Sequence, residues 1–184
     1  LPIEVDKFFV WGDISYEYAI QLNYPDHKIE ITGNPNLDRI FEQKKKCVKK
    51  SNTVLLLATG PRDQQSVGHN VNEWKKYENL IKQICTVITK HNLNLIIKRH
   101  PDIAESDFSQ QIHNEFSNVK ILKHSEIIDL LLISKIVISV GISSAIFEAQ
   151  ILEKPVISII ADHDVYGSPK NVSHSCLETT VDNF

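Results

Sequence analysis

Residues 53–60, TVLLLATG, form an apolar run that never alternates with polar residues and that ends in glycine. A strand with one wet face alternates. A strand that does not must be covered on both faces, the condition of a parallel sheet layered between helices. Four more β-branched runs follow: LNLIIKRH (93–100), VKILK (119–123), KIVISVG (135–141) and PVISII (155–160). The segments between them have helical spacing. Over 71–91, Trp74, Tyr77, Leu80, Ile81, Ile84 and Ile88 recur at steps of three and four, one apolar stripe on a long helix. Shorter helices are expected near 104–116, 126–134 and 144–152. Strands alternating with helices predict an α/β fold. The expected form is a Rossmann-like, doubly wound parallel sheet with right-handed crossovers and spatial order 3-2-1-4-5.

Upstream, KFFVWG (7–12) and KIEITG (28–33) read as strands flanking a short helix at 15–22. The basic stretch KKKCVKKSN (44–52) reads as a linker, with contact to an anionic membrane surface as its alternative role. Beyond Ile160 the chain is polar and no element is assigned. The sequence has no methionine and opens inside a strand-like pattern, so a piece of a longer protein, internal or C-terminal, is expected. A net charge of −3 argues against a nucleic-acid partner. No apolar run approaches the roughly 20 residues needed to span a bilayer. The opening LPIEVDKFF lacks the basic-then-apolar pattern of a signal peptide. Cys47, Cys85 and Cys176 stand far apart and outside zinc-type spacing, consistent with reduced thiols in a cytoplasmic protein, and no metal or cofactor is expected.

In that strand order a ligand sits outside the carboxyl ends of the strands, where the first and fourth strands diverge. The loops gathered there are ATGPRD (58–63), KRHPD (98–102) and VGISSA (140–145). In the last, Gly141 ends a strand, and Ser143 or Ser144 caps a helix whose first-turn amides favour an anion. Capping alone would also explain the serines. Glu148 lies four residues past Ser144, on the same helical face, where a carboxylate can accept from a ribose diol or simply be exposed. His100 precedes Pro101, which enforces an extended backbone. Its imidazole can donate to a phosphate, or be satisfied by a carbonyl. Lys98 and Arg99 point to opposite faces, so at most one reaches the ligand. Gly60 allows close approach of backbone to ligand, or an ordinary turn. No glycine-rich phosphate fingerprint is present. The loop ADHDVYG (161–167) reads as a turn before it reads as a metal site, and NVS (171–173) formally matches a glycosylation sequon.

Taken together, FFVWG…KIEITGNPNLD, LIIKRHP and LLLISKIVISVGISSAIFEAQILEKPVIS resemble the C-terminal half of GT-B glycosyltransferases. The likeness is strongest to bacterial surface-polysaccharide transferases, including sialyltransferase-like and Kdo-transferase-like groups with HP and SS motifs. The resemblance implies a domain that holds a nucleotide sugar, with CMP-sugar as the first choice, and an inverting, metal-independent transfer to a glycan or glycolipid acceptor. It implies that His100 contacts the donor phosphate and assists its departure, with Pro101 fixing the ring. Ser143, Ser144, Gly60 and Lys98 would hold phosphate oxygens, Glu148 the ribose, and Gly141 the turn. Residues 1–43 would be the tail of an N-terminal acceptor-side domain, 44–52 the linker and 53–184 the donor domain. The general base would lie in the missing N-terminal domain of the same protein, and the enzyme would work in the cytoplasm or at the inner membrane face. ITGNPNLD also resembles UDP-N-acetylglucosamine 2-epimerases, but their histidine–arginine-rich loop and glycine pair are replaced by ATGPRDQQ and GISSAIFEA. Glycerophosphate transferases of teichoic acid synthesis share the HP and SS elements, but carry a TDYSS-like string where this chain has SVGISS.

Overall fold

The computed structural model describes residues 5–44, 51–58, 60, 71–99, 107–140, 143–160 and 176–180. The chain divides into two compact units, Leu1–Gln43 and Lys44–Phe184.

In the larger unit the unalternated run becomes β3 (Thr53–Ala58), the centre of a six-stranded parallel sheet. The other strands are β4 (Asn94–Arg99), β5 (Val119–Leu122), β6 (Ile136–Val140), β7 (Val156–Ile160) and β8 (Leu177–Thr180). Their spatial order is β5-β4-β3-β6-β7-β8. The first five strands follow the order expected from the sequence, and β8 extends the sheet by one. Leu177 is exposed, while Glu178 and Thr179 are half-buried, so this edge strand has no need of an apolar run. It forms by pairing with β7, and its threonines are the only β-formers that mark it in the sequence.

Both sheet faces are covered, as β3 requires. On one face Val54, Leu56, Ala58, Leu95, Ile97, Ile138 and Val140 pack against α3 (Val71–Lys90) and α4 (Asp107–Glu115). The stripe predicted for α3 is the buried one: Leu80, Ile81, Ile84 and Ile88 are in the core, joined by Cys85. The opposite face meets α5 (Ile127–Ile133) and α6 (Ala145–Ile151), which bury Leu131, Ile146 and Ala149. Lys154 closes α5 by donating to the carbonyls of Leu132, at 3.2 Å, and Ser134, at 2.9 Å. A cation at a helix C-terminus satisfies orphan carbonyls and meets the negative end of the dipole.

The smaller unit is one βαβ turn. β1 (Phe8–Val10) and β2 (Ile29–Ile31) pair in parallel, connected through α1 (Asp13–Gln21), and a short helix α2 (Asp38–Gln43) follows. Its core is small: Val10, Ala19 and Ile29, flanked by Phe8, Tyr16 and Tyr24. The Phe8 and Tyr24 rings stack at 4.8 Å, and the Tyr16 hydroxyl donates to Asp26. Asn23, Asn92 and Glu153 have φ of 62°, 54° and 56° and end α1, α3 and α6 in left-handed caps. The paired bonds of that motif recur each time, as in Leu93 N–H to Ile88 O and Asn92 N–H to Thr89 O.

No helix among the described residues is long and apolar enough to cross a membrane. The loop 161–167, the sequon at 171–173 and most of the basic linker lie outside the described residues.

Candidate functional site

The sheet reverses its winding at β3, which pairs with β4 on one side and β6 on the other. The three strands end in register: Ala58 faces Arg99 on one side and Val140 on the other. Gly60 lies two residues past Ala58, His100 directly follows Arg99 and Gly141 directly follows Val140. The strand ends that introduce the imidazole and the serine pair are thus two strand spacings apart, about 10 Å. That is the span of a nucleotide's phosphates and ribose. His100, Pro101 and Gly141 themselves lie outside the described residues.

After β6, Ser143 turns the chain into α6. Its Oγ accepts from Ala145 N–H at 3.3 Å and its carbonyl accepts from Ile146 N–H at 3.1 Å. Ser144, at the helix boundary with φ −59° and ψ −26°, makes no side-chain capping bond and is exposed. The two hydroxyls therefore divide the work: Ser143 braces the turn, and Ser144 is presented outward. Glu148, in the first turn of α6, is half-buried with Oε2 enclosed.

The β4 side is organised differently. Lys98 donates to the carbonyls of Arg99, at 3.0 Å, and Lys123, at 2.8 Å, tying the end of β4 to the segment after β5. Burial lowers its pKa, and the nearby Glu126 carboxylate opposes that shift. Arg99 points the other way and donates from Nη1 to Ser109 Oγ on α4 at 2.8 Å. Gly60 is buried with φ +80°, a conformation that favours glycine, and its N–H donates to Tyr77 Oη on α3 at 3.1 Å. Burial pushes the Tyr77 phenol up to about 12, against the smaller lowering effects of the Gly60 bond and the Arg99 charge. At pH 7 it is a neutral phenol. The apolar stripe of α3 marks Tyr77 only as core, and no motif in the sequence marks Ser109. A tyrosine on a core stripe where phenylalanine would fill the space is the signal that marks a needed hydroxyl.

A family model described as CDP-Glycerol:Poly(glycerophosphate) glycerophosphotransferase matches residues 13–178. The chain belongs to that family. Sequence reading placed these glycerophosphotransferases behind sialyltransferase-like and Kdo-transferase-like groups because SVGISS replaces a TDYSS-like string. The match over residues 13–178 outweighs that local departure. The family's description names CDP-glycerol where the motifs alone pointed first to a CMP-sugar. Among solved structures, a UDP-N-acetylglucosamine 2-epimerase superposes with a TM-score of 0.63 at 17% identity, over 96% of this chain and 45% of that one. The Neisseria meningitidis UDP-GlcNAc 2-epimerase bound to UDP-GlcNAc gives 0.52 at 17% identity, over 83% and 43%. The wall teichoic acid polymerase TagF, soaked with CDPG, gives 0.50 at 17% identity, over 88% and 39%. At such identities the likeness is one of fold. The glycerophosphotransferase-family chain spans less than half the length of each of these structures. No curated protein matches it by sequence.

Proposed function

We propose that this chain is the donor-binding part of a transferase of surface-polymer synthesis, acting on CDP-glycerol, a CMP-activated glycerol phosphate. The family match over 13–178 is the observation that carries this reading. The reversal of strand order at β3, with the serine pair following β6, supports the position of the donor. In the proposed reaction an acceptor hydroxyl attacks the β-phosphorus, the bond from that phosphorus to the bridging oxygen breaks, and CMP departs. The acceptor's proton passes to a base outside this chain, in an N-terminal domain of which residues 1–43 are the tail, 44–52 being the linker.

His100, held by Pro101, donates to the departing phosphate and offsets its growing charge. Ser144 and the first-turn amides bind phosphate oxygens, Ser143 and Gly141 shape the turn, and Glu148 accepts from the ribose diol. Lys98 serves by fixing the ends of β4 and β5, since two carbonyls already occupy its ammonium. Gly60 contributes close backbone approach, its N–H being engaged by Tyr77. No metal is assigned a role.

Calorimetric titration of the chain with CDP-glycerol, CMP and UDP tests the reading. CDP-glycerol is expected to bind at least ~10-fold more tightly than either, and Ser144→Ala and His100→Ala each to weaken it by ~10-fold, the scale of one charge-assisted hydrogen bond. Tightest binding of CMP would favour the CMP-sugar donor instead, and of UDP an epimerase-like isomerase.

A further inference from the structure

Between the ends of β3 and β4 and the helices α3 and α4 lies a small cavity of about 20 Å³, lined by Trp74, Tyr77, Ile97, Arg99, Phe108 and Ser109 among others. Polar groups at the base of an apolar cavity need a reason to be there. Here they form two links of similar design. Tyr77 Oη, carried by α3, accepts from the backbone N–H of Gly60 at the exit of β3. Arg99, the last residue of β4, donates to Ser109 Oγ on α4 at 2.8 Å. Each link ties a strand exit to the helix that returns from it. Arg99 and Ala58 are register partners, so the links stand side by side.

We infer that Tyr77 is a positioning residue for the donor site: through Gly60 its hydroxyl fixes the turn after β3, while Ser109 braces Arg99, the residue that precedes His100. This rests on the donor site proposed above and adds to it a layer that never touches the ligand. Three features support it. The phenol keeps its proton, so it cannot serve as a base at ordinary pH. The ring is already held by Trp74, edge-on at 6.1 Å, and by packing against the core, so the hydroxyl is not needed to fill space. Gly60 occupies the left-handed region at +80°, and because glycine is the conformationally freest residue, an external hold on its amide narrows what this turn can adopt.

Tyr77→Phe removes one oxygen and leaves the packing. Gly60 amide exchange, followed by NMR on the full chain, is expected to quicken by ~10-fold, the effect of losing one hydrogen bond. CDP should bind ~10-fold more weakly. Cytidine, which lacks the phosphates, should bind as before, and the thermal midpoint should move by no more than about 3 °C. Ser109→Ala is expected to weaken CDP in the same selective way. Equal loss of cytidine and CDP would mean general loosening and would overturn the positioning role. So would faster exchange with unchanged CDP affinity, and unchanged exchange would remove the link itself. An unaltered chain that binds none of CDP-glycerol, CDP, CMP or UDP overturns the donor reading and the positioning role together. The exchange result then still reports whether the Tyr77–Gly60 bond exists, so the two failures remain distinct.

Discussion

The two units of this chain contain the same building block, parallel strands joined by a helix, and treat its apolar surface in opposite ways. In residues 44–184 both sheet faces are covered, and Val54, Leu55, Leu56, Ile84 and Val137 have no exposed surface at all. In residues 1–43, Phe9, Trp11, Ile14, Tyr18 and Leu22 are all more than half exposed. Their placement is orderly. Phe9 and Trp11 alternate with Val10, on the sheet face away from the small core, and Ile14, Tyr18 and Leu22 recur every four residues along α1 and its C-cap. A parallel pair with an apolar outer face, beside a helix with a second apolar stripe, is the form of a doubly covered sheet with its outer layers removed. The contrast supports the proposal that residues 1–43 belong to another α/β layer. It also teaches that a local βαβ pattern gives strands and helix but not independent stability, which comes from what covers them.

The largest expected effect lies at the centre of the covered unit. Ile84→Ala empties a site with no exposed surface between α3 and the sheet and is expected to cost about 2–5 kcal/mol, measured by denaturant unfolding. A loss below about 1 kcal/mol would mean that the two units differ less in packing than their burial implies.

A more gradual effect comes from pH. Tyr77 and Cys85, both in the covered unit, are each pushed by burial up to about 12, from 10.0 and 9.0. A raised acid pKa means that the folded state holds its proton where the unfolded state has released it. Stability is therefore full below pH 9 and falls as pH rises towards 12, with a slope of at most about 1.4 kcal/mol per pH unit for each group. Cys85→Ala combined with Tyr77→Phe should flatten the profile between pH 9 and 12. A profile equally steep without them would assign the alkaline loss elsewhere.

How far the sequence could be read follows the same division. Elements that bury an apolar run or stripe were legible nearly to the residue: α3 was expected over 71–91 and spans Val71–Lys90, and β4 over 93–100 spans Asn94–Arg99. Edge strand β8 was not, because Leu177–Thr180 is held by pairing with β7 rather than by burial. At the candidate site the order of the strands that frame it was legible. The partners of individual polar groups were not. Lys98 read as a phosphate ligand, yet its ammonium lies on two carbonyls. The Gly60 amide is engaged by a tyrosine 17 residues further along the chain, a distance over which no spacing rule operates. Apolar burial has a period that a sequence displays, whereas a hydrogen-bond partner is chosen by three-dimensional proximity.

The smallest expected effect on stability is the one that bears most directly on the contrast. Phe9→Ser together with Trp11→Ser removes two large side chains that are 59% and 61% exposed. Unfolding of the 184-residue chain should change by only about 1 kcal/mol, because each side chain keeps more than half of its surface in water on folding. Self-association is a different matter. Contiguous exposed apolar surface drives association, so the unaltered chain should sediment with a concentration-dependent mass and the double variant should do so less. If the same substitutions destabilise a longer form of the protein by about 2 kcal/mol or more, these residues are covered there, as the scale of burying large side chains requires. If they leave every form equally stable and equally monomeric, the outer face of β1 has no partner in the protein. The exposed residues of 1–43 would then be surface in their own right, and the proposed second layer would have to be given up.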